Sequence, residues 1–293
     1  MSRGFFVRPA VFSNPAKMER MSERDGADFI QDWVRRGASE AEAHLGSIGL
    51  LHRVTGGPFV MGSRFHPREA PRREVQVPEF EIAHAPVMVK QFAAFLEAGG
   101  YAERPWWSEA GWAWRQGRAL GWGREDRSRP ADWRNQESRF DHPVTGVTVY
   151  EAEAYCRWLG AQKGRVVRLP AEEQWEKAAR GDDGRPWPWG GEFRVGQANT
   201  LESDLNHTTP TASVAGDVSP CGAVDMGGNV QEWTASPYRP LAGEVFPAGH
   251  DLRVARGGSF NDTAYGARTA YRRGYPAGYF FPFLGFRIVV ADR

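Results

Sequence analysis

RLPAEEQWEKAARG, residues 168–181, is the stretch on which the fold turns. Pro170 ends whatever precedes it, and Glu172 and Glu173 then stand where the positive end of a helix favours carboxylates. Gly181 supplies the stop. A helix over Ala171–Arg180 follows, with Trp175, Ala178 and Ala179 available for packing. Its many charges read as a solvated face rather than a catalytic pair, because a carboxylate in a first turn is already accounted for by the helix dipole.

Working outward, two more helices are punctuated as clearly. Thr148–Leu159 carries Val149, Ala152, Tyr155, Cys156 and Leu159 on one side and meets Gly160. Val89–Ala98 carries Phe92, Phe95 and Leu96 and stops at Gly99-Gly100. Before them, Leu50–Val54 and Phe59–Met61 read as strands about the turn Gly56-Gly57-Pro58. Residues 75–83 alternate in two short pieces, Val75 and Val77, then Phe80 and Ile82, which predicts another half-buried strand. Segments 101–141 and 181–250 read as long loops, of the kind that are functional or held by specific contacts. At the N-terminus, residues 1–24 are polar and patternless. A helix is expected near 27–36 with Phe29, Ile30, Trp33 and Val34 on one face, and a short one from Ser39 to Leu45. The division expected is an extension over 1–46 and one domain over 47–293.

Composition narrows the function. The chain has 293 residues, 37 basic and 36 acidic, a net charge of +1. That balance argues against broad nucleic-acid binding, which needs a basic face. No run approaches a membrane span and no secretory signal opens the chain, so cytoplasmic synthesis is expected, with virion or surface display left open. Basic residues are almost all Arg, with Lys only at Lys17, Lys90, Lys163 and Lys177, which suggests a GC-rich genome and weakly a thermophile. Two cysteines, Cys156 and Cys221, allow one bridge or two thiols but no disulfide framework.

Several phrases then fall in order: GPFVMGS (57–63), HPV (142–144), RLPAEEQWEKAARG (168–181), DMGGNVQEW (225–233), RGGSF (256–260) and GFR (285–287). As an ordered set over residues 50–290 they resemble the formylglycine-generating enzyme family, also called sulfatase-modifying factors. The resemblance implies an α+β C-type lectin-like fold with few helices, short twisted sheets and much irregular loop. It also implies copper held by two cysteines placed after the GGS motif. The matching positions here are Asp262 and Ala267, and copper(I) needs soft ligands that neither supplies. A second branch of this fold holds iron by three histidines, two of them spaced HxxxH. His44, His52, His66, His84, His142, His207 and His250 contain no such pair. Ser259 follows two glycines, but no neighbouring His offers it a base. The chain is therefore expected not to be an enzyme, the alternative being a metal-dependent oxidase or oxygenase with an atypical site.

The phrase GNVQEW admits two readings. Asn229, a main-chain carbonyl and Glu232 could surround a hard cation, and the resemblance supports a structural calcium ion as the candidate cofactor. Equally, Asn229 could bond its own backbone in a turn.

The tail supplies the functional expectation. From Gly257 to Arg293 there is no Lys, Glu, Gln, Met or Trp, types that make up about a fifth of the residues upstream. An AAC or AAT codon randomised at its adenines cannot give those five residues. The arrangement is similar to that of the variable proteins of diversity-generating retroelements, whose C-terminal variable region sits on this fold. Residues 256–290 are then the candidate variable region. The expected ligand-binding positions are Asp262, Thr263, Tyr265, Gly266, Tyr271, Arg273, Gly274, Tyr275, Gly278, Tyr279, Phe280, Phe281 and Pro282. Ala264, Ala267, Arg268, Ala270 and Arg272 are the expected fixed ones. Exposed Tyr and Phe interleaved with Gly resemble antibody loops. A protein or other macromolecule is the expected partner, bound through this aromatic surface. The competing reading is a tail that is all core, and Phe286–Val290 is expected to be a closing core strand in either case.

Overall fold

The structure is a computed structural model, described here for residues 48–119 and 124–291. The expected N-terminal helices lie outside the described residues. Ten strands and five α-helices are present among the described residues. In chain order they are β1 (Leu51–Val54), β2 (Gly57–Met61), β3 (Arg73–Val77), β4 (Phe80–Ala83), α1 (Val89–Glu97), α2 (Glu109–Arg115), α3 (Trp133–Gln136) and α4 (Val149–Lys163). Then come β5 (Val166–Arg168), α5 (Glu172–Arg180), β6 (Gln231–Pro237), β7 (Leu252–Arg256), β8 (Arg272–Pro276), β9 (Leu284–Phe286) and β10 (Val289–Ala291). Three small sheets have the orders β1-β4-β10-β5, β2-β3 and β8-β7-β6-β9. All strand pairs are antiparallel except β6 with β9. Few helices, short sheets and long irregular stretches make this the α+β, formylglycine-generating-enzyme type of C-type lectin-like fold.

The helices end where their chemistry says. Thr148 caps α4 and its own N–H donates to Glu151 Oε2 at 2.8 Å, a reciprocal capping box, while Gly164 ends the helix at φ +64°. The last helical residue, Lys163, lies four residues beyond the expected Leu159, because Gly160 is tolerated inside the helix. A Cβ there would meet the Arg165 carbonyl at 2.8 Å. The expected single strand over 75–83 is two strands in different sheets, β3 paired with β2 and β4 with β1. Segment 101–141 is not plain loop: α2 and α3 lie in it, and Trp107, Trp114 and Trp133 pin it to the core.

The charged helix needs the largest correction. The charges of α5 do not form a solvated face; Glu172, Glu176, Lys177 and Arg180 are all buried. Arg256 on β7 pairs with Glu176 and, at 3.2 Å, with Glu172, and Arg180 pairs with Glu176 at 2.6 Å. Arg272 on β8 reaches Glu172 at 2.7 Å. The helix packs between the β2-β3 hairpin and the β6-β7 pair, and of its charged side chains only Glu173 is left partly open to water. The partner charges come from residues distant in sequence, which helical periodicity cannot reveal.

The closing segment is core, but it is not one strand. β9 and β10 belong to different sheets, and Arg287 sits between them, fully buried. Its guanidinium holds Glu232 at 2.6 and 2.7 Å and reaches the carbonyls of Ala83 and Val224. Cys156 and Cys221 are both free thiols.

Candidate ligand-binding cleft

The tail is shaped by three requirements. Gly257 and Gly258 take φ +99° and +65° after β7 and turn the chain into an irregular loop. A Cβ at Gly258 would stand 2.8 Å from Ala267, so loop and turn touch there. Asp262 then organises the loop: its Oδ2 accepts from Ser259 Oγ and Gln231 Nε2, both at 2.7 Å, and its other oxygen pairs with Arg273. The chain runs on through β8 and turns back over 277–283 into β9.

This geometry sorts the expected binding positions. Asp262, Gly266 and Gly278 are buried and are not ligand surface. Asp262 is a loop strut, and Gly266 is small because a Cβ would press on Asp262 at 2.9 Å. Phe280 turns aside: it lies over the Arg124 guanidinium at 5.4 Å, with Trp114 also against Arg124 at 5.0 Å. Thr263, Tyr265 and Pro282 are exposed, and Tyr271 is half-buried against His66. Arg273, Gly274, Tyr275, Tyr279 and Phe281 converge on one cleft of about 410 Å³.

The cleft is built from more than the tail. Arg68, from the turn 67–69, and Val245, Phe246 and Pro247, from the long loop after β6, complete it with Pro276. None of these four upstream residues was legible in the sequence; the only signal was the length of the 181–250 segment. Tyr275 is held by Phe281 at a ring separation of 5.0 Å and by a hydrogen bond to Gln231 Oε1 at 3.0 Å. Burial pushes its hydroxyl up to about 12, so it is a neutral donor at physiological pH. Phe281 stacks on Phe283 at 5.2 Å, and Tyr279 meets His250 edge-on at 5.6 Å. The cleft's two arginines are each neutralised, Arg68 by Glu244 at 2.6 Å and Arg273 by Asp262. The result is an apolar, aromatic, charge-balanced groove with a few polar groups at its edges, the usual character of a binding site.

The residues do not fit a thiolate-held copper. Asp262 has its oxygens committed, Ala267 is a buried methyl, and the Cys156 thiol lies buried in the main core with its pKa raised by burial. Nor do the described histidines converge. His52 and His84 share a 2.8 Å hydrogen bond, His142 bonds Thr208, and His66 and His250 lie against tyrosines. Among the described residues no three of His, Cys, Asp and Glu are grouped to hold a metal. The calcium expectation for Asn229 and Glu232 is not met by this geometry. Both oxygens of Glu232 are taken by Arg287 and Trp175 Nε1. Asn229 sits at φ +64° and spends its amide on the main chain of Thr209, a remote segment rather than its own turn.

Residues 40–292 match the model of the sulfatase-modifying factor enzyme 1-like domain. The chain belongs to that family. Relatives within it carry contrasting names. A hercynine oxygenase of Mycolicibacterium thermoresistibile is 36% identical over 248 residues, covering 73% of this chain and 53% of that protein. The inactive C-alpha-formylglycine-generating enzyme 2 of Mus musculus is 31% identical over 291 residues, covering 83% and 86%. The chain thus spans about half the length of the hercynine oxygenases it matches. Among solved structures, PvdO of Pseudomonas aeruginosa shares the fold at a TM-score of 0.60 and 22% identity, covering 82% of this chain and 93% of that one. Treponema denticola variable protein 1 shares it at 0.59 and 18%, covering 82% and 94%. This sulfatase-modifying-factor domain therefore sits in a family that includes both proteins named as oxygenases and proteins named as inactive. No described helix is long and apolar enough to cross a membrane.

Proposed function

We propose that the chain is a non-catalytic ligand-binding protein whose segment 256–290 carries the binding surface, diversified by a retroelement, with a protein as the ligand. The observation that carries this reading is the convergence of Arg273, Gly274, Tyr275, Tyr279 and Phe281 on one cleft. All five lie in the stretch of the tail that lacks Lys, Glu, Gln, Met and Trp. The absence of thiolates at positions 262 and 267 supports a binding rather than an oxidising role. Sequencing the gene from independent isolates tests it. Substitutions should concentrate at exposed and cleft-facing tail positions such as Tyr265, Tyr271, Tyr275, Tyr279 and Phe281. A near-copy template and a reverse-transcriptase gene should lie nearby. A tail that does not vary between isolates would sink the proposal.

A second reading rests on the 36% identity to a hercynine oxygenase. In it the chain is a metal-dependent oxidase or oxygenase whose metal site is atypical for the family. Stoichiometric iron or copper in the purified protein, together with turnover, would favour this reading over the first.

A further inference from the structure

Four consecutive residues of β8, Arg273 to Pro276, line the cleft. In the order β8-β7-β6-β9, β8 is terminal. The direction in which its main chain points can be worked out from its neighbour. Leu252 and Val254 on β7 turn their carbonyls towards β6, accepting from Tyr238 N at 2.8 Å and Thr234 Oγ1 at 3.0 Å. Successive residues in an antiparallel ladder face opposite neighbours, so Arg253 and Ala255 face β8 and pair with Tyr275 and Arg273. The bond from Ala277 N to Asp251 O, 2.7 Å, continues the same parity. Arg272 and Gly274 therefore present N–H and C=O away from β7. Among the described residues, no group hydrogen-bonds their main chains on that side.

Gly274 is buried, and a buried main-chain donor and acceptor call for a partner. The walls of the cleft agree with an edge. Tyr275 lies on one face of β8, where its ring meets Phe281. Gly274 faces the other way: a Cβ there would lie 2.0 Å from the ring of Tyr238, against which Phe246 packs at 5.9 Å. Residues from both faces line one cleft, together with Gly274 and Pro276 of the strand itself. The cleft therefore runs past the edge of β8, with Arg68 of the 67–69 turn as its outer wall.

The geometry points to an extended peptide segment as the ligand, added as a strand along β8 and hydrogen-bonded to Gly274. This inference rests on the binding function proposed above and names its ligand class. In strand addition, main-chain bonds give affinity and pockets for alternate side chains give specificity. The constant Gly274 amide would serve any sequence, while Tyr275, Tyr279 and Phe281 would select among side chains. Charge balance in the cleft, with Arg68 on Glu244 and Arg273 on Asp262, suits a neutral main chain better than a free anion.

Short linear peptides displayed on phage and panned against the full chain are the probe, followed by N-methylation of each peptide bond in a selected binder. Strand addition predicts that every second N-methyl group weakens binding by roughly tenfold, since each removes one buried hydrogen bond. It also predicts that the bound peptide slows amide exchange at Gly274. A flat N-methyl scan with Gly274 unprotected overturns it, as does a library that yields no linear binder, or self-association of the chain through β8. The Tyr279→Ala and Phe281→Ala variants separate the two levels of the argument. If they weaken a peptide whose N-methyl scan is flat, the cleft stands and strand addition falls. If they leave every selected peptide unaffected, the cleft itself is not the binding site.

Discussion

The two halves of the tail share an alphabet and do opposite work. Between Ser259 and Ala270 the chain folds in on itself: Asp262 bonds Ser259 and Gln231, Gly266 leaves Asp262 the room a Cβ would take, and Arg268 lies on Phe65 at 4.1 Å and pairs with Glu69 at 2.6 Å. In the second half, Arg273, Gly274, Tyr275, Tyr279 and Phe281 line a cleft instead. The difference is one of support. The first half surrounds a buried carboxylate that must be satisfied. The second is an edge strand and a turn laid over Trp233 and Phe283, which fix the backbone and leave the rim free. Aromatic density alone therefore does not mark a binding surface. Where the edge is supported from beneath, as at Tyr275, the aromatic residues are left to line a cleft.

The largest break in this comparison comes from beneath it. Arg287→Ala leaves Glu232 buried and unpaired, and removing one partner of a buried ion pair typically costs about 3–5 kcal/mol. We expect denaturant unfolding to show a loss of that order, with both halves of the tail disordered together. A variant as stable as the wild type would mean that β9 and β10 do not depend on their crossing residue.

A pH effect should follow in size. Burial, with Asp225 beside it, raises Asp217 to about 8, and burial raises Asp225 to about 6. Unfolded, both carboxyls release their protons near pH 3.9. Between those values the folded chain binds more protons than the unfolded one, so stability falls as pH rises. We expect the melting temperature to decline from about pH 5 to pH 8, and Asp217→Asn to flatten most of that slope. A melting temperature that rises across the window would contradict it.

How much of this could be read beforehand depends on the range of the contacts. The helices α4 and α5 were legible because Thr148, Glu151, Pro170 and Gly181 act within a few residues. The family resemblance, and with it the fold, was legible because the ordered phrases are the residues that build the core and its turns, Trp175 and Trp233 among them. Burial of the α5 charges was not, since their partners Arg256 and Arg272 lie on strands remote in sequence. The cleft was half legible. The alphabet of the tail pointed to Tyr275, Tyr279 and Phe281, but Arg68 and Phe246 reach the site only through tertiary folding. Alphabet does not tell a strut from a surface: Asp262, Gly266, Gly278 and Phe280 share it with the cleft residues.

Within the cleft, Gly274 should be the most sensitive position. A Cβ there would overlap the Tyr238 ring at 2.0 Å. Gly274→Ala must displace a buried ring, and overpacking of this kind costs about 1–3 kcal/mol. Thermal unfolding should register it, and the smaller ring-free variant Tyr238→Ala should recover part of the loss when combined with it. An unchanged melting temperature for Gly274→Ala would mean that the cleft is wider than described.

The smallest effect is expected at Tyr265, and its smallness is the point. Tyr265 is 61% exposed and stacks only on Phe65, itself 57% exposed, with ring centroids 5.8 Å apart. Tyr265→Ser removes ring area that water already covers, so stability should shift by no more than about 0.5 kcal/mol. Yet the two rings form an outward step beside the half-buried Tyr271, which meets His66 at 5.3 Å. A ligand that fills the cleft and reaches past Tyr271 would lose a contact here that the fold does not need. Paired measurements on the same variant, melting temperature and affinity for a selected binder, should therefore diverge at Tyr265 and move together at Gly274. If they move together at both, the first half of the tail carries structure as far as its outermost ring.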